Sequence, residues 1–279
     1  MTYPMNRSNS DPAASGTPKS VRILSVMLAM SMILALLMHI GTCEAYAAAS
    51  PYLSARVLHM HSGDSYRLKL KGAKNVKWKT SSKKIVTVNK GKVTARRPGT
   101  ATITAGEGKK KYKCRVTVAS GSKKTLIIYF SATGTTKKAA EKLKKAANAD
   151  IVRIVPREEY LKKDLNYNKD CRANSEQNKN KYVAIATAIT DIDKYDTICL
   201  GYPIWWGKEP GVIRTFLRNN KLRGKTVVPF CTSGGSGISG SMKHIRSLAK
   251  GADVKSGRDL TGSSAGEIRQ WAENAIQRL

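Results

Sequence analysis

A chain of 279 residues has room for two modest domains and a targeting segment, and a hydrophobic fraction of 41% is enough for folded cores. The charge is unusual: 50 Lys and Arg against 19 Asp and Glu give a net +31. Such an excess suits an anionic cell-wall polymer or membrane surface, or simply keeps a Lys-rich chain soluble, and without a nucleic-acid-reading module no specific nucleic acid is expected as a partner.

Lys19 and Arg22 precede Ile23 to Ile40, a run with no charged residue, and Ala45-Tyr46-Ala47 follows. Basic flank, apolar run and small-x-small site are the parts of a secretory signal peptide, with cleavage after Ala47. The run is at the short end of the roughly 20 residues that span a bilayer, so an uncleaved anchor stays open. Residues 1–49 are therefore read as a signal peptide or membrane anchor. The protein is expected outside the cytoplasm, secreted or held on the outer face of the membrane or cell surface. Only Arg22 stands next to the run, so there is no twin-arginine pair, and any non-covalent cofactor would be captured after export. Of the five cysteines, Cys43, Cys114, Cys171, Cys199 and Cys231, no two form a Cys-x-x-Cys pair. No metal site is predicted, and most of those beyond residue 49 are expected to be buried free thiols.

Residues 50–119 are the most basic stretch; from 50 to 120 there are 18 basic and 2 acidic side chains, a net +16. Short runs alternate apolar and polar residues: Ser65 to Leu70, Ile85 to Val88, Val93 to Ala95, Ala101 to Thr104 and Cys114 to Val118. Turn residues separate them, including Ser62-Gly63-Asp64, Lys90-Gly91 and Pro98-Gly99. Period-two alternation in several short strands predicts a small all-β sandwich with wet outer faces. Gly63-Asp64, Val76-Lys77-Trp78, Ser81-Ser82, Val86-Thr87-Val88, Gly91 to Ala95 and Pro98 to Thr104 together resemble a bacterial immunoglobulin-like domain of group 2. That resemblance implies a spacer or adhesive module with Trp78 in a structural role. The linker Ala119-Ser120-Gly121-Ser122 is small and flexible, which predicts that the flanking domains move independently.

From residue 123 to 279 the pattern changes to alternating strands and helices. Thr125 to Phe130 is a continuous apolar run, as a strand buried on both faces requires. A helix is predicted from Thr136 to Ala147 and a strand from Ile151 to Val155. Arg157 to Lys181 is polar and aperiodic, and Tyr182 to Ile189 reads as either helix or extended chain. Strands at Thr197–Leu200 and Lys225–Phe230, a short one at Ala252–Val254, and helices from Gly211, Ser239 and Ala265 complete a doubly wound parallel sheet.

Three loops at strand ends carry the candidate chemistry. Ser131-Ala132-Thr133-Gly134-Thr135-Thr136 lies between a strand and a helix, where backbone N–H groups and the helix dipole favour an anion. It lacks the Gly-Lys-Ser/Thr of a triphosphate loop, and the alternative is a hydroxyl-rich helix cap. In Gly201 to Gly207, the adjacent Trp205 and Trp206 point apart, so at least one is expected at a cleft or a sheet edge. In Cys231 to Gly237, glycines allow backbone amides to approach a ligand, although a plain flexible loop has the same composition.

Taken together, Tyr129 to Thr136, Tyr202 to Gly207 and Pro229 to Gly235 resemble the flavodoxin family, and within it the branch of flavin-dependent quinone reductases. The resemblance implies a flavodoxin-like sheet of order 2-1-3-4-5 and flavin mononucleotide (FMN) as cofactor. It places the phosphate on Ser131, Thr133, Gly134, Thr135 and Thr136. The isoalloxazine falls on Pro203, Ile204, Trp205, Trp206 and Gly207, and also on Thr232, Ser233, Gly234 and Gly235. Electron carriage or a quinone-reductase-like activity follows, with donor and acceptor unspecified. The competing reading is a surface-binding or adhesion protein whose flavodoxin-like half is a scaffold without redox function. His244, Tyr167 and Arg172 are further residues within reach of the ring or its substrate side, with an ordinary surface role as the alternative for His244.

Overall fold

The computed structural model describes residues 50–277. The expected signal or anchor segment lies outside the described residues. Among the described residues no helix is long and apolar enough to cross a membrane.

The first part is a β-sandwich of β1 (Tyr52–Leu53), β2 (Val57–His61), β3 (Ser65–Arg67), β4 (Leu70–Lys71), β5 (Lys77–Thr80), β6 (Val86–Asn89), β7 (Lys92–Ala95), β8 (Gly99–Glu107) and β9 (Lys110–Ala119). Sheet order runs β2-β9-β8-β5 on one side and β3-β7-β6 on the other, with β1 paired to β4. The long β8–β9 hairpin shows why the lysines are harmless: Ala101, Ile103, Ala105, Cys114 and Val116 point inward, while Lys113 and Arg115 alternate outward. Leu58, Met60, Leu68, Val86 and Val93 close the core. Trp78 is only partly buried and packs against the edge of that core, beside Gly91.

The second part begins at β10 (Thr125–Tyr129), followed by α1 (Thr135–Ala146), β11 (Asp150–Arg153), α2 (Arg172–Asn178), β12 (Thr187–Ile189), β13 (Thr197–Pro203), α3 (Gly211–Asn219), β14 (Thr226–Thr232), α4 (Ser239–Leu248), β15 (Asp253–Val254), β16 (Arg258–Asp259) and α5 (Ala265–Ala272). Its sheet runs β11-β10-β13-β14-β15, all parallel, with β16 also on β14. β10 is apolar throughout because both its faces are covered. Leu126 and Ile128 join a core with Val212, Ile213 and Phe216 of α3, whereas Ile127 and Tyr129 join Ala140 and Leu143 of α1 and Ile268 and Trp271 of α5. The cysteines 114, 171, 199 and 231 are buried free thiols, and burial pushes the thiols of Cys114 and Cys199 up to about 12.

The independent motion expected from the short linker is not what the structure presents. The chain from Tyr182 is extended and ends in β12, which leaves its own half and pairs in parallel with β2, Thr187 opposite Val57 and Ile189 opposite His59. The exposed edge of β2 is thereby covered, which removes a row of unpaired backbone groups. Tyr195 Oη donates to Asp150 Oδ2 at 2.9 Å, so its lone pair accepts from His59 Nε2 at 2.7 Å, and the Thr190 hydroxyl donates to Asp64 Oδ2 at 2.7 Å. The Arg56 guanidinium also donates to the carbonyl of Pro156. Backbone pairing and these bonds join the two parts into one compact unit.

Candidate functional site

Parallel strands end on the same side of their sheet. The loops after β10, β13 and β14 therefore meet at one edge, where open α/β sheets hold ligands. Thr232, the last residue of β14, ties all three. Its hydroxyl lies 2.8 Å from that of Thr136, and its carbonyl accepts the Ile204 N–H at 2.8 Å.

In the first loop, Ser131 Oγ accepts the N–H of Gly134 at 3.0 Å. Gly134 takes φ +99°, a left-handed turn that swings the chain into α1 and that a glycine adopts without penalty. No side chain caps α1 and its first turn has no acidic residue; Lys137 and Lys138 stand there instead. Positive charge at a helix N-terminus is unfavourable alone and favourable beside a bound anion. A Cβ on Gly134 would meet nothing within 4 Å, so the loop faces open space. Of the five residues assigned to phosphate, Thr133 and Thr135 are exposed. Ser131 and Thr136 are buried, and their hydroxyls brace the loops.

The second loop closes on itself. Trp205 N–H donates to Lys208 O at 2.9 Å and Lys208 N–H to Trp205 O at 3.0 Å, around a tight turn with φ +48° at Trp206 and +71° at Gly207. A left-handed Trp costs on the order of 1 kcal/mol and is kept where the surroundings impose it, commonly at ligand sites. The two indoles divide as adjacent side chains must. Trp205 is 3% exposed and packs edge-on against Phe130 at 5.7 Å and Tyr160 at 5.1 Å, so its ring is a core element and is not available for stacking. Trp206 is 42% exposed, with Tyr167 beside it at 4.5 Å between ring centroids. Pro203 and Ile204 are half-buried at the base of the turn.

The third loop is braced more than a flexible loop would be. Ser233 Oγ accepts the N–H groups of Gly235 at 3.0 Å and Gly237 at 3.1 Å and donates to Asp259 Oδ2. Burial opposes ionisation of Asp259, but the Ser233 and Thr261 donors outweigh it and hold its carboxyl below the usual range. The Gly235 amide is therefore taken; Gly234 is exposed, with open space at its Cα.

Beneath the second loop lies a polar network that the sequence reading did not single out. Gln177 Nε2 donates to the carbonyls of Trp205 at 2.9 Å and Glu209 at 3.2 Å. Arg214 donates to Glu209 Oε1 at 3.1 Å and Gln177 Oε1 at 2.9 Å, and Glu209 is wholly buried. His244 Nδ1 sits 2.6 Å from the same Glu209 oxygen, so His244 is a partner of this carboxylate. Arg172 is likewise engaged, paired with Glu176 at 2.7 Å and lying over the Tyr160 ring. The signal was present: Arg214 stands among Val212, Ile213, Phe216 and Leu217 on an otherwise apolar helix face.

The first loop also borders a cleft of about 740 Å³ between the two parts of the chain. Ser131 to Gly134, Lys137, Lys144 and Arg153 line one side, and His59, Thr100, Arg115 and Thr117 of the sandwich line the other.

Residues 124–275 match the family model described as flavodoxin, and residues 65–118 match that of the bacterial Ig-like domain, group 2. No curated protein matches the chain. Among solved structures, a protein provisionally named a flavoprotein from Bacteroides eggerthii is 41% identical, with a TM-score of 0.52, over 55% of this chain and 97% of that one. A second so named, from Bacteroides uniformis, is 37% identical with a TM-score of 0.52, over 54% and 97%. A flavoprotein from Lactobacillus acidophilus in complex with FMN is 27% identical with a TM-score of 0.44, over 54% and 99%. With more than half of its length matched to the family model, and its loops arranged on a parallel sheet, the chain belongs to the flavodoxin family and carries a bacterial Ig-like domain of group 2 ahead of its flavodoxin domain.

Proposed function

We propose that this chain is an exported flavoprotein that binds FMN across the three loops and takes part in electron transfer or flavin-dependent reduction. The observation that carries the reading is the convergence of an uncapped helix N-terminus, an exposed left-handed Trp206 and an exposed Gly234 on one sheet edge, tied through Thr232. These residues fit the group. The α1 amides with the Thr133 and Thr135 hydroxyls are donors for a phosphate, Trp206 offers an aromatic face to a planar ring, and Gly234 offers an N–H to a polar ring edge. FMN supplies reversible one- or two-electron chemistry when bound, and the protein supplies position and shielding. Trp206 excludes water from one side, and the buried Glu209–Arg214–Gln177 network fixes the loop that holds it. The basic sandwich faces an anionic polymer of the cell surface, and the leader sequence is the reason to place the protein there.

The test is an absorbance spectrum of the protein incubated with FMN and passed through a desalting column. Retained oxidised-flavin bands at one equivalent support the reading. A colourless protein at high FMN contradicts it and leaves a binding scaffold.

A further inference from the structure

We infer that His61, Asp64 and Asp191 form a binding site for a divalent transition-metal ion of the zinc class, which clamps the Ig-like domain to the flavodoxin domain. The residues come from both sides of the joint. His61 ends β2, Asp64 follows the Ser62-Gly63 turn, and Asp191 follows β12. The parallel register that sets Ile189 opposite His59 carries Asp191 level with His61. One ligand atom from each of the three lies within 4.8 Å of the others. Ligand atoms of a tetrahedral zinc site stand about 3.4 Å apart, so the longest gap closes by side-chain rotation of about 1.4 Å.

Two observations point to a cation. First, His61 is 3% exposed and neither ring nitrogen has a hydrogen-bond partner. Such a buried orphan is costly and is retained only where something else compensates, and a metal bond at one nitrogen does so. Second, the place already attracts positive charge. The Lys194 ammonium lies 2.5 Å from Asp191 Oδ2 and 3.6 Å from Asp64 Oδ1, on a side chain 44% exposed and able to swing out. Asp64 is also held as a ligating carboxylate is held. Its Oδ2 accepts the His61 N–H at 2.7 Å and the Thr190 hydroxyl at 2.7 Å, leaving Oδ1 for an ion. One imidazole and two carboxylates suit zinc and its neighbours better than magnesium or calcium, which take all-oxygen sets. Lys194 is then the placeholder that a metal displaces.

The test uses the full chain without a histidine tag, stripped with EDTA, dialysed and titrated with zinc chloride by calorimetry, with thermal melts in parallel. Saturable binding of one ion per chain and a rise in melting temperature are expected. Asp191→Asn and His61→Ala should each weaken binding at least about tenfold. Lys194→Ala should tighten it, because the competing ammonium is gone. No saturable site, or affinity unchanged in Asp191→Asn, overturns the assignment. If His61→Ala does not fold, the Asp191 and Lys194 variants, both at partly exposed side chains, decide the question.

Discussion

Replacing Arg214 with Met keeps most of the side-chain volume and removes the charge that neutralises Glu209. The guanidinium makes four hydrogen bonds, to Glu209 Oε1 at 3.1 Å, Glu209 O at 2.9 Å, Gln177 Oε1 at 2.9 Å and Lys181 O at 3.1 Å. Both partners are buried, at 1% and 0% exposure, so the pair is not screened by solvent. Removing one member of such a pair leaves a buried charge uncompensated and costs about 3–5 kcal/mol. The lower end applies here, because His244 still reaches Glu209 Oε1 at 2.6 Å. In a domain stable by about 5–15 kcal/mol, that is a large fraction of the whole. Urea denaturation followed by tryptophan fluorescence should show the loss in the midpoint at unchanged slope. Adding Glu209→Gln to Arg214→Met removes the stranded charge and should recover at least about 1 kcal/mol, since residues in contact do not act additively. A single variant within about 1 kcal/mol of the parent, or no recovery in the double variant, refutes the claim that this ion pair sets the second loop.

The two indoles should separate by assay. Trp206→Ala should leave stability nearly unchanged and weaken FMN binding by about 1 kcal/mol, roughly fivefold in Kd. Trp205→Ala should cost about 3–5 kcal/mol of stability, measured by denaturation, because it empties the space between Phe130 and Tyr160. Thr232→Val should lose the Thr136 bond for about 1 kcal/mol and, by loosening the junction of all three loops, weaken FMN binding in the same titration. Stability should also fall on acidification through His59. Burial lowers its pKa from 6.5 to about 4 against the opposing pull of Asp150. The unfolded chain therefore takes up a proton between those values that the folded one refuses. The cost is absent above pH 6.5 and grows to about 3 kcal/mol as pH falls to about 4, and His59→Gln should flatten that part of a stability–pH curve.

Much of this architecture is legible in local pattern. The unbroken run from Thr125 to Phe130 announces a strand covered on both faces, and the alternation around Ile103 and Val116 announces a sandwich with lysines outward. Such signals are local because each residue's burial follows from the face it occupies. β12 is not legible in that way. Thr187-Ala188-Ile189 is half-buried and reads as either helix or extended chain, and it becomes a strand only because β2 offers an open edge over a hundred residues earlier. The expectation of independent domains failed for the same reason, since linker composition does not report what the chain does seventy residues later. That Trp205 and Trp206 diverge follows from their adjacency. Which of them is buried depends on Phe130 and Tyr160, brought in from other segments. The Gln177–Arg214 bond spans 37 residues, beyond any periodicity, although an arginine on an apolar helix face hinted at a buried partner.

In the proposed function, the first loop and the start of α1 hold the phosphate of FMN. The most direct measurement compares the affinities of FMN and riboflavin, which differ by that phosphate, by quenching of flavin fluorescence on the same preparation. Two charge-assisted hydrogen bonds at about 1.5 kcal/mol each predict FMN binding at least about a hundredfold tighter than riboflavin, with the advantage shrinking as salt is added. Equal affinity for the two flavins, or no binding of either, contradicts a phosphate site at the start of α1.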